Sequence, residues 1–396
     1  MSHSQTIGLI LEPLDVLFFR DGRPFGESTR ASGSTPLPQT LAGALRTALL
    51  RYYHCDFERL MQCRKETPDD RSDEVKRWGD WFERSGAPGW IAHIAVRGPW
   101  LAMIPTAGTT SPTTEIPCEV LVPAPATLQQ RKKDQHGELR TLRPLVDGEV
   151  PGWRDTPQGQ AGLRPLWSRG RDASEPARGF LTSAGLRAFL HGEAVDRHQL
   201  IKWDGLLDHD HRTGIAVDPD RLTAEKSMIY GASFLALKRA TRIGSRPDLV
   251  DIAFYAEASV PADGVRALSD LKTLAWGGES RHVRARVAAP FTWPTAEGSG
   301  KGRAMLLLTT PGLCLTPACP TVLNGHVVSA AIPGAVAVSG WDLARGGPKP
   351  NRFAAAAGSV YYLRKLPPDL PSSLNDNPFD GHQGWGCFLK GTWNHG

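Results

Sequence analysis

The stretch Ile7–Phe19 reads IGLILEPLDVLFF, and PLPQTLAGALRTALL follows at residues 36–50 after a polar, glycine-bearing segment. The first run is apolar enough for a central strand that begins or bulges near Pro13, because proline cannot donate to a strand ladder. In the second run, apolar residues from Leu41 to Leu49 recur at helical spacing. The two stretches therefore predict a strand-loop-helix unit.

The rest of the chain supplies further short elements separated by turns. Forty-one glycines and 32 prolines favour short strands with long connections over a helical bundle. Strands are predicted at residues 91–104, 227–237, 249–258 and 282–288, and helices at residues 181–192 and 262–276. With the first unit, these elements follow the order β-α-β-β-α-β, which is typical of a ferredoxin-like fold. A second series of strands, with short helices, is predicted at residues 304–310, 327–338, 358–364 and 385–393.

Length and the less regular stretches suggest the domain organisation. A chain of 396 residues exceeds the usual size of one hydrophobic core, which favours two domains with insertions. We expect the first domain to comprise residues 1–295 and the second residues 300–396. Two insertions are expected in the first domain, at about residues 54–90, where mixed charges and aromatic residues predict helices, and at about residues 106–180, where long loops are predicted.

Composition excludes several classes of protein. No apolar run approaches the roughly 18 residues that span a bilayer, and the N-terminus lacks the features of a secretory signal, so we expect a soluble, cytoplasmic protein. The six cysteines form no C-x-x-C pair, which argues against a zinc ribbon or a redox dithiol. No Walker loop, Rossmann fingerprint or nucleophile elbow occurs, so no cofactor is predicted.

The net charge of +5 is mild for a nucleic-acid-binding protein, so the distribution of the charge matters more than its sum. Basic residues cluster in three places, although such clusters are commonly no more than solvated surface. The clusters are Lys238, Arg239, Arg242 and Arg246; Arg281, Arg284 and Arg286; and Arg131, Lys132, Lys133, Arg140 and Arg143.

The junction between the first strand and the first helix is a candidate phosphate site. Arg20 and Arg23 lie in the loop that leaves the strand, although an Arg-Asp-Gly turn often serves only to tie a loop down. The helix begins near Thr40, and its free N–H groups and dipole favour a phosphate there. Arg46, one to two turns into the helix, could add a charge-assisted contact.

Two glycine-rich breaks precede strands, GGESRHVRA at residues 277–285 and GHQGWGCF at residues 381–388. Glycine lets a ligand backbone approach closely, while neighbouring basic and aromatic side chains can supply charge and stacking for single-stranded RNA. A tight turn or a bulge is the more common explanation of such a break. Lys390 lies just beyond the second break.

The segment DHDHRTGIAVD, residues 208–218, resembles a metal site because four potential ligands are adjacent. Neighbouring residues in an extended chain point to opposite sides, so the four side chains cannot simply converge on one ion. No metal site is predicted, and Arg212 and Lys226 are better candidates for RNA or partner contacts.

Taken together and in order, these motifs resemble one family, the Cmr-type RAMP subunit of type III-B CRISPR effector complexes. This is the Cas5-like member that holds the 5′ tag of the guide RNA. The resemblance extends from end to end and rests on LDVLFFRDGRPF, PLPQTLAGALRTALL, RTGIAVD, GGESR, GWD with GGPKP, AGSVYYL and the terminal GWG. At residues 356–359 the chain has AAGS where many paralogues have PAGS, which leaves the strand entry intact.

The resemblance implies an α+β protein with two ferredoxin-like (RRM-like) domains and long insertions. It also implies a non-catalytic subunit whose partners are the guide crRNA, the large Cas10-type subunit and the adjacent backbone RAMP subunit, with no membrane partner. The candidate RNA-binding residues are Arg20, Arg23, Thr40, Arg46, Arg212, Lys226, Arg242, Gly277, Gly278, Arg281, His282, Gly384, Gly386 and Lys390.

Two alternatives to this function stay open. Some RAMP relatives are metal-independent endoribonucleases that process repeat RNA, and here His54, His282 and His382 are the histidines near motif loops. The chain could also be a protein scaffold whose basic clusters meet only acidic partners.

Overall fold

A computed structural model describes residues 4–19, 35–66, 74–106, 118–132, 138–154, 163–170, 173–217, 220–221, 223–243, 248–296, 303–342, 347–348 and 350–393. The described part of the chain contains six α-helices: α1 (Pro38–Tyr52), α2 (Phe57–Glu66), α3 (Glu74–Arg84), α4 (Ser183–Leu190), α5 (Ala262–Asp270) and α6 (Pro378–His382). Short 3-10 helices lie at Gly89–His93, Arg197–Gln199, Trp203–Gly205 and Thr321–Leu323.

The strands up to residue 288 are β1 (Gln5–Pro13), β2 (Ala95–Pro105), β3 (Glu119–Pro123), β4 (Leu128–Arg131), β5 (Arg140–Thr141), β6 (Arg143–Pro144), β7 (Leu166–Trp167), β8 (Ser174–Pro176), β9 (Phe180–Leu181), β10 (Leu200–Ile201), β11 (Leu207–Val217), β12 (Ala224–Leu237), β13 (Val250–Val260), β14 (Thr273–Ala275) and β15 (His282–Ala288). Those that follow are β16 (Arg303–Leu308), β17 (Val327–Ala331), β18 (Ala335–Val338), β19 (Trp341–Asp342), β20 (Gly347–Pro348), β21 (Arg352–Ala355), β22 (Val360–Leu363) and β23 (Phe388–Trp393).

The strands form antiparallel sheets, the largest of which has eight strands in the order β10-β9-β3-β2-β13-β1-β15-β14. Its centre is β2-β13-β1-β15, and Leu9 of β1 pairs with Ala256 on one side and Val287 on the other. A four-stranded sheet further along the chain has the order β17-β22-β16-β23. The predicted α+β class is therefore confirmed at the level of helices packed on antiparallel sheets.

Helix α1 covers one face of the large sheet, as its apolar spacing predicted. Leu41, Leu45 and Leu49 are all buried, and they join a core that includes Leu9 and Leu11 of β1. Helix α1 also contacts α5, so the two helices share this face of the sheet. Burying each such leucine contributes about 1.5–3 kcal/mol, which explains why this strand-helix unit is apolar in sequence.

The opposite face of the large sheet meets the later part of the chain. Trp100 of β2 donates a hydrogen bond from its indole nitrogen to the carbonyl of Thr309 at 3.1 Å. Cys387 packs in the same core cluster as Trp100 and Tyr255. Nearby, Phe189 of α4 and Leu389 of β23 belong to one core. Val122 of β3 and Leu307 of β16 lie in that same core, so the two sheets share buried apolar residues.

Three elements differ from the sequence-based expectation. Helix α5 ends at Asp270 because the chain enters strand β14 at Thr273, so residues 271–276 are not helical. Part of the predicted loop region is strand β3, whose central residues are buried inside the large sheet. The polar segment that contains DHDHRTG is expected to be extended but not to be a strand, and it is strand β11 because it pairs along its length with β12.

The described helices include none that is both long and apolar enough to cross a membrane. The predicted domain boundary near residues 295–300 stays a prediction, since the shared apolar interior gives no boundary of its own.

The close packing of Gly384 against strand β2 leads to a testable prediction. Its φ of +95° is left-handed, and a Cβ there would lie 2.7 Å from the carbonyl oxygen of Gly98 on β2. We expect Gly384→Ala to lower the free energy of unfolding by about 2 kcal/mol or more, measured by urea denaturation.

The matched control is Gly334→Ala, where a Cβ would meet nothing within 4 Å. This control should change the free energy of unfolding by less than about 0.5 kcal/mol. Equal effects of the two substitutions would contradict the close packing of Gly384 on β2.

Candidate nucleic-acid interface

The hairpin of β11 and β12 brings an arginine, an aspartate and an aromatic ring to one face. Asp210 lies directly opposite Phe234, and Arg212 lies opposite Ala232, so these four side chains point to the same side. Arg212 donates from Nε and Nη2 to Oδ2 of Asp210, at 2.9 and 2.7 Å. Its guanidinium carbon lies 4.8 Å from the centre of the Phe234 ring, which is within cation-π range.

The GGESR loop meets the chain leaving β1 at very short range. The N–H of Gly278 donates to the carbonyl of Phe18 at 2.8 Å. Gly277 has a φ of +93°, and a Cβ there would lie 2.6 Å from the same carbonyl oxygen. The next two residues, Glu279 and Ser280, also have positive φ, an uncommon conformation for residues with a side chain. Close packing of two backbones therefore requires the first glycine.

Arg281, at the end of this loop, turns toward the same aromatic ring. Its Nη1 donates to Oδ2 of Asp15 at 2.8 Å, and its guanidinium carbon lies 4.8 Å from the centre of the Phe234 ring. The Nε of Arg281 is buried without a hydrogen-bond partner among the described residues. Phe18 completes the group, with its ring centre 5.2 Å from that of Phe234.

We refer to Asp15, Phe18, Asp210, Arg212, Phe234 and Arg281 as the Phe234 cluster. It holds two cations and two anions, and the carboxylates are accessible, with Asp15 61% and Asp210 39% exposed. The hydrogen bond from Arg212 to Asp210 raises the pKa of Arg212, so this side chain stays cationic. The cluster can present guanidinium groups to an anion if the carboxylates are displaced.

Trp276 links the Phe234 cluster to the start of α1. Its indole nitrogen donates to Oγ1 of Thr40 at 3.3 Å, and its ring centre lies 5.1 Å from that of Phe19. The hydroxyl of Thr40 in turn donates to the carbonyl of Leu37 at 2.7 Å. Thr40 is therefore engaged internally, while the junction that the sequence predicted as a phosphate site lies beside the GGESR loop.

Arg46 is oriented into the protein rather than toward that junction. Its Nη2 donates to the carbonyl of Ile94 at 3.1 Å, and its guanidinium lies 6.0 Å from the Phe379 ring centre. Burial lowers the pKa of Arg46 to about 10, although the nearby Glu74 opposes this shift. A phosphate contact by Arg46 would require the loss of the bond to Ile94.

The other candidates fall in different places. Arg20 and Arg23 lie outside the described residues, and Lys226 lies on β12 without a described side chain. Arg242, His282 and Lys390 are exposed. Gly384 and Gly386 belong to the second glycine-rich break and are both buried. A Cβ on Gly386 would lie 2.3 Å from the carbonyl oxygen of Leu374. Packing alone thus explains these two glycines.

The DHDH segment is divided between the two faces of its strand. Asp210 faces Arg212, while the rings of His209 and His211 lie 6.2 Å apart on the other face. Asp208 pairs with Lys238 at 3.7 Å. Within the described residues, no three histidine, cysteine, aspartate or glutamate side chains lie close enough to hold a metal ion.

Sequence reasoning missed the aromatic centre of the site. Phe234 was one apolar residue within a predicted strand, and Phe18 one within another. The signal that could have found Phe234 is the pairing of β11 with β12, because that register places the ring opposite Asp210.

A family model described as CRISPR-associated protein (Cas_Cmr3) matches residues 9–391. The chain belongs to this family of CRISPR-associated proteins. The Cas_Cmr3 family accounts for nearly the whole chain, and it confirms the resemblance to Cmr-type subunits of type III-B CRISPR complexes.

Comparison with other proteins adds two solved complexes. A chain in the cryo-EM structure of the type III-B Cmr-beta complex, bound to cognate target RNA and AMPPnP, is similar, with 17% identity and a TM-score of 0.47 over 90% of this chain and 86% of that one. A chain of the crystal structure of the Csm3-Csm4 subcomplex from the type III-A interference complex is also similar, with 10% identity and a TM-score of 0.38 over 92% and 100%. No curated protein matches the chain.

A pH-dependent prediction concerns His382, near Arg46. Burial, together with repulsion from Arg46 and His93, lowers the pKa of His382 below its usual 6.5. The unfolded chain therefore binds a proton more readily, so the free energy of unfolding should fall as the pH drops below about 6.5. We expect His382→Gln to flatten this part of the profile, measured by urea denaturation between pH 7.5 and 5.

The control is His198→Gln, because His198 is exposed. This substitution should leave the slope unchanged. A His382→Gln protein with the same slope as the unsubstituted chain would contradict the buried, repelled histidine.

Proposed function

We propose that this chain binds the guide RNA of a type III-B CRISPR effector complex without cleaving it. In this role it anchors the 5′ tag and contacts the large Cas10-type subunit and the adjacent backbone RAMP subunit, in the cytoplasm. The observation that carries the proposal is the Phe234 cluster. Two guanidinium groups lie 4.8 Å from one aromatic ring, on the loop and hairpin that carry the sequence motifs.

The chemistry of the cluster suits single-stranded RNA. Guanidinium groups bind phosphate through two parallel N–H donors and also stack on bases. The Nη1 of Arg281, which donates to the exposed carboxylate of Asp15, is the donor that a phosphate oxygen would take over. Asp15 and Asp210 compete with phosphate for these donors, so the affinity for RNA depends on displacing them.

We also propose two ferredoxin-like domains. The four central strands of the large sheet, β2-β13-β1-β15, and the four strands of the second sheet, β17-β22-β16-β23, are both arranged 2-3-1-4 when each set is numbered in chain order. In the second sheet the connecting helices are reduced to a 3-10 helix at Thr321–Leu323 and the five-residue α6. This repeated order supports domains of residues 1–295 and 300–396.

The competition between aspartate and phosphate gives a test with effects of opposite sign. Arg281→Ala should weaken binding of repeat-derived RNA about fivefold or more, because it removes a phosphate contact. Asp15→Asn should strengthen binding about two- to fivefold, because it frees the guanidinium of Arg281. Binding is measured by filter retention of labelled RNA from 50 to 200 mM salt, and Arg281→Ala should also flatten the salt dependence by about one unit.

The matched control is Asp263→Asn, since Asp263 is a comparably exposed aspartate paired with Arg266 on α5. Asp263→Asn changes the net charge of the protein by the same amount as Asp15→Asn. It should raise the affinity for RNA far less. If Asp15→Asn weakens RNA binding, or if affinity is independent of salt, the cluster is not the RNA site.

A separate test addresses the endoribonuclease alternative. Labelled repeat RNA incubated with the chain and EDTA should stay intact, since the proposed role is binding. Specific cleavage that is lost in His282→Ala would overturn the non-catalytic assignment. His282 is chosen because it is exposed beside the GGESR loop, while His382 is half-buried.

A further inference from the structure

A cleft of about 470 Å³ lies in the long insertion, lined by residues of strands β5, β6 and β7 and their connections. Its volume falls within the range of small-molecule sites. Arg143 on β6 pairs directly with Trp167 on β7, so the two side chains leave the backbone on the same face of this strand pair. The cleft is separate from the Phe234 cluster and shares none of its residues.

Three arginines contribute to this cleft. Arg143 is oriented by a hydrogen bond from Nη2 to the carbonyl of Gly192 at 3.1 Å. Arg140 donates from Nη1 to the backbone carbonyl of Arg169 at 3.4 Å, which fixes the Arg140 side chain beside the segment that carries Arg169. Arg169 itself is exposed at the rim. Neighbouring guanidinium groups attract a phosphate, since each can donate to it in the planar geometry that phosphate accepts.

Two carboxylates in the same cleft narrow the choice of ligand. Glu149 and Glu193 both line it, and the backbone N–H of Val146 donates to Oε2 of Glu149 at 3.0 Å. Carboxylates repel any anion that lies beside them, but they accept hydrogen bonds from the amino groups of a neutral base. An indole for stacking, carboxylates for base amino groups and arginines for phosphate together describe a nucleotide.

The cleft also opens toward further basic and aromatic residues. A smaller adjoining pocket shares Thr141 and Arg143 with it and extends to Trp393 on β23. The guanidinium of Arg303 lies 4.9 Å from the Trp393 ring centre. Burial lowers the pKa of Arg303, and repulsion from Arg164 lowers it further, so positive charge is concentrated here. This continuation suits a strand of several nucleotides.

We infer that the cleft around Trp167 binds one purine nucleotide of a single-stranded RNA, with the base on Trp167 and a phosphate at Arg140 and Arg169. Purines are favoured because a larger ring stacks over more of the indole. The site goes beyond the proposed function, because it lies in the insertion rather than at the strand-helix junction that carries the guide-binding motifs.

The test uses the full chain and isothermal titration with GMP, AMP, CMP, UMP, inorganic phosphate and a five-nucleotide purine RNA. We expect a purine nucleotide to bind more tightly than a pyrimidine nucleotide or phosphate. Trp167→Ala should weaken that binding about tenfold or more. Arg169→Glu, a change at an exposed position, should weaken it at least fivefold even if Trp167→Ala proves unstable.

The matched controls are Trp153→Ala and Arg154→Glu, a half-buried tryptophan and an exposed arginine of the same insertion that do not line the cleft. Both should bind as the unsubstituted chain does. Arg303→Ala should weaken the five-nucleotide RNA but not the mononucleotide.

Several results would overturn the inference. Inorganic phosphate could bind as tightly as the nucleotides, or Arg169→Glu could leave nucleotide binding unchanged. The third such result is that no nucleotide binds at millimolar concentration. Equal affinity for mononucleotide and RNA would point to a free nucleotide instead. Arg281→Ala separates the two sites, because it should weaken binding of repeat RNA and leave GMP binding unchanged. Loss of GMP binding in Arg281→Ala would count against the Trp167 cleft and leave the Phe234 cluster as the RNA site.

Discussion

The indole of Trp276 holds together the elements on which the candidate interface is built. Its ring packs edge-on against Phe19 and Phe254, each with a centre-to-centre distance of 5.1 Å, and its nitrogen donates to Thr40. One buried side chain thereby fixes the exit of β1, the central strand β13 and the first turn of α1 relative to one another. The turn at Gly277 follows directly, so its position on Phe18 is a consequence of that packing.

The Phe234 cluster, the proposed RNA site, combines charge and aromatic contact within a protein of mild net charge. Each arginine is paired with an accessible aspartate, so the isolated chain does not leave two exposed guanidinium groups side by side. Exposed pairs of this kind are worth only about 0–1 kcal/mol, which makes them easy for a phosphate to displace. The aromatic ring meanwhile keeps both guanidinium groups near one point, which lowers the entropic cost of binding.

The two main sheets are not independent layers connected by a linker. Trp100 bonds to Thr309, and Phe189 of α4 packs in the core that holds Leu389 of β23. The long insertion contributes to this contact, because Tyr362 of β22 donates its hydroxyl proton to the carbonyl of Leu142 at 2.7 Å. The Trp167 cleft is therefore supported by the second sheet, although its lining residues come from the insertion and the segment after α4.

The strand-helix unit of β1 and α1 and the strands β13 and β15 could be predicted from the amino-acid sequence, and the order of its motifs indicates the family. Apolar periodicity encodes these features locally, since each buried face repeats along a single element. The sequence motifs also identified Arg212, Gly277 and Arg281 as candidate RNA-binding residues, without showing that these residues lie close together. The folded arrangement, in contrast, places Phe234 between Arg212 and Arg281, directs the Arg46 side chain to the carbonyl of Ile94 and packs Gly384 against β2. Those facts depend on contacts between residues far apart in the sequence, which no local pattern encodes.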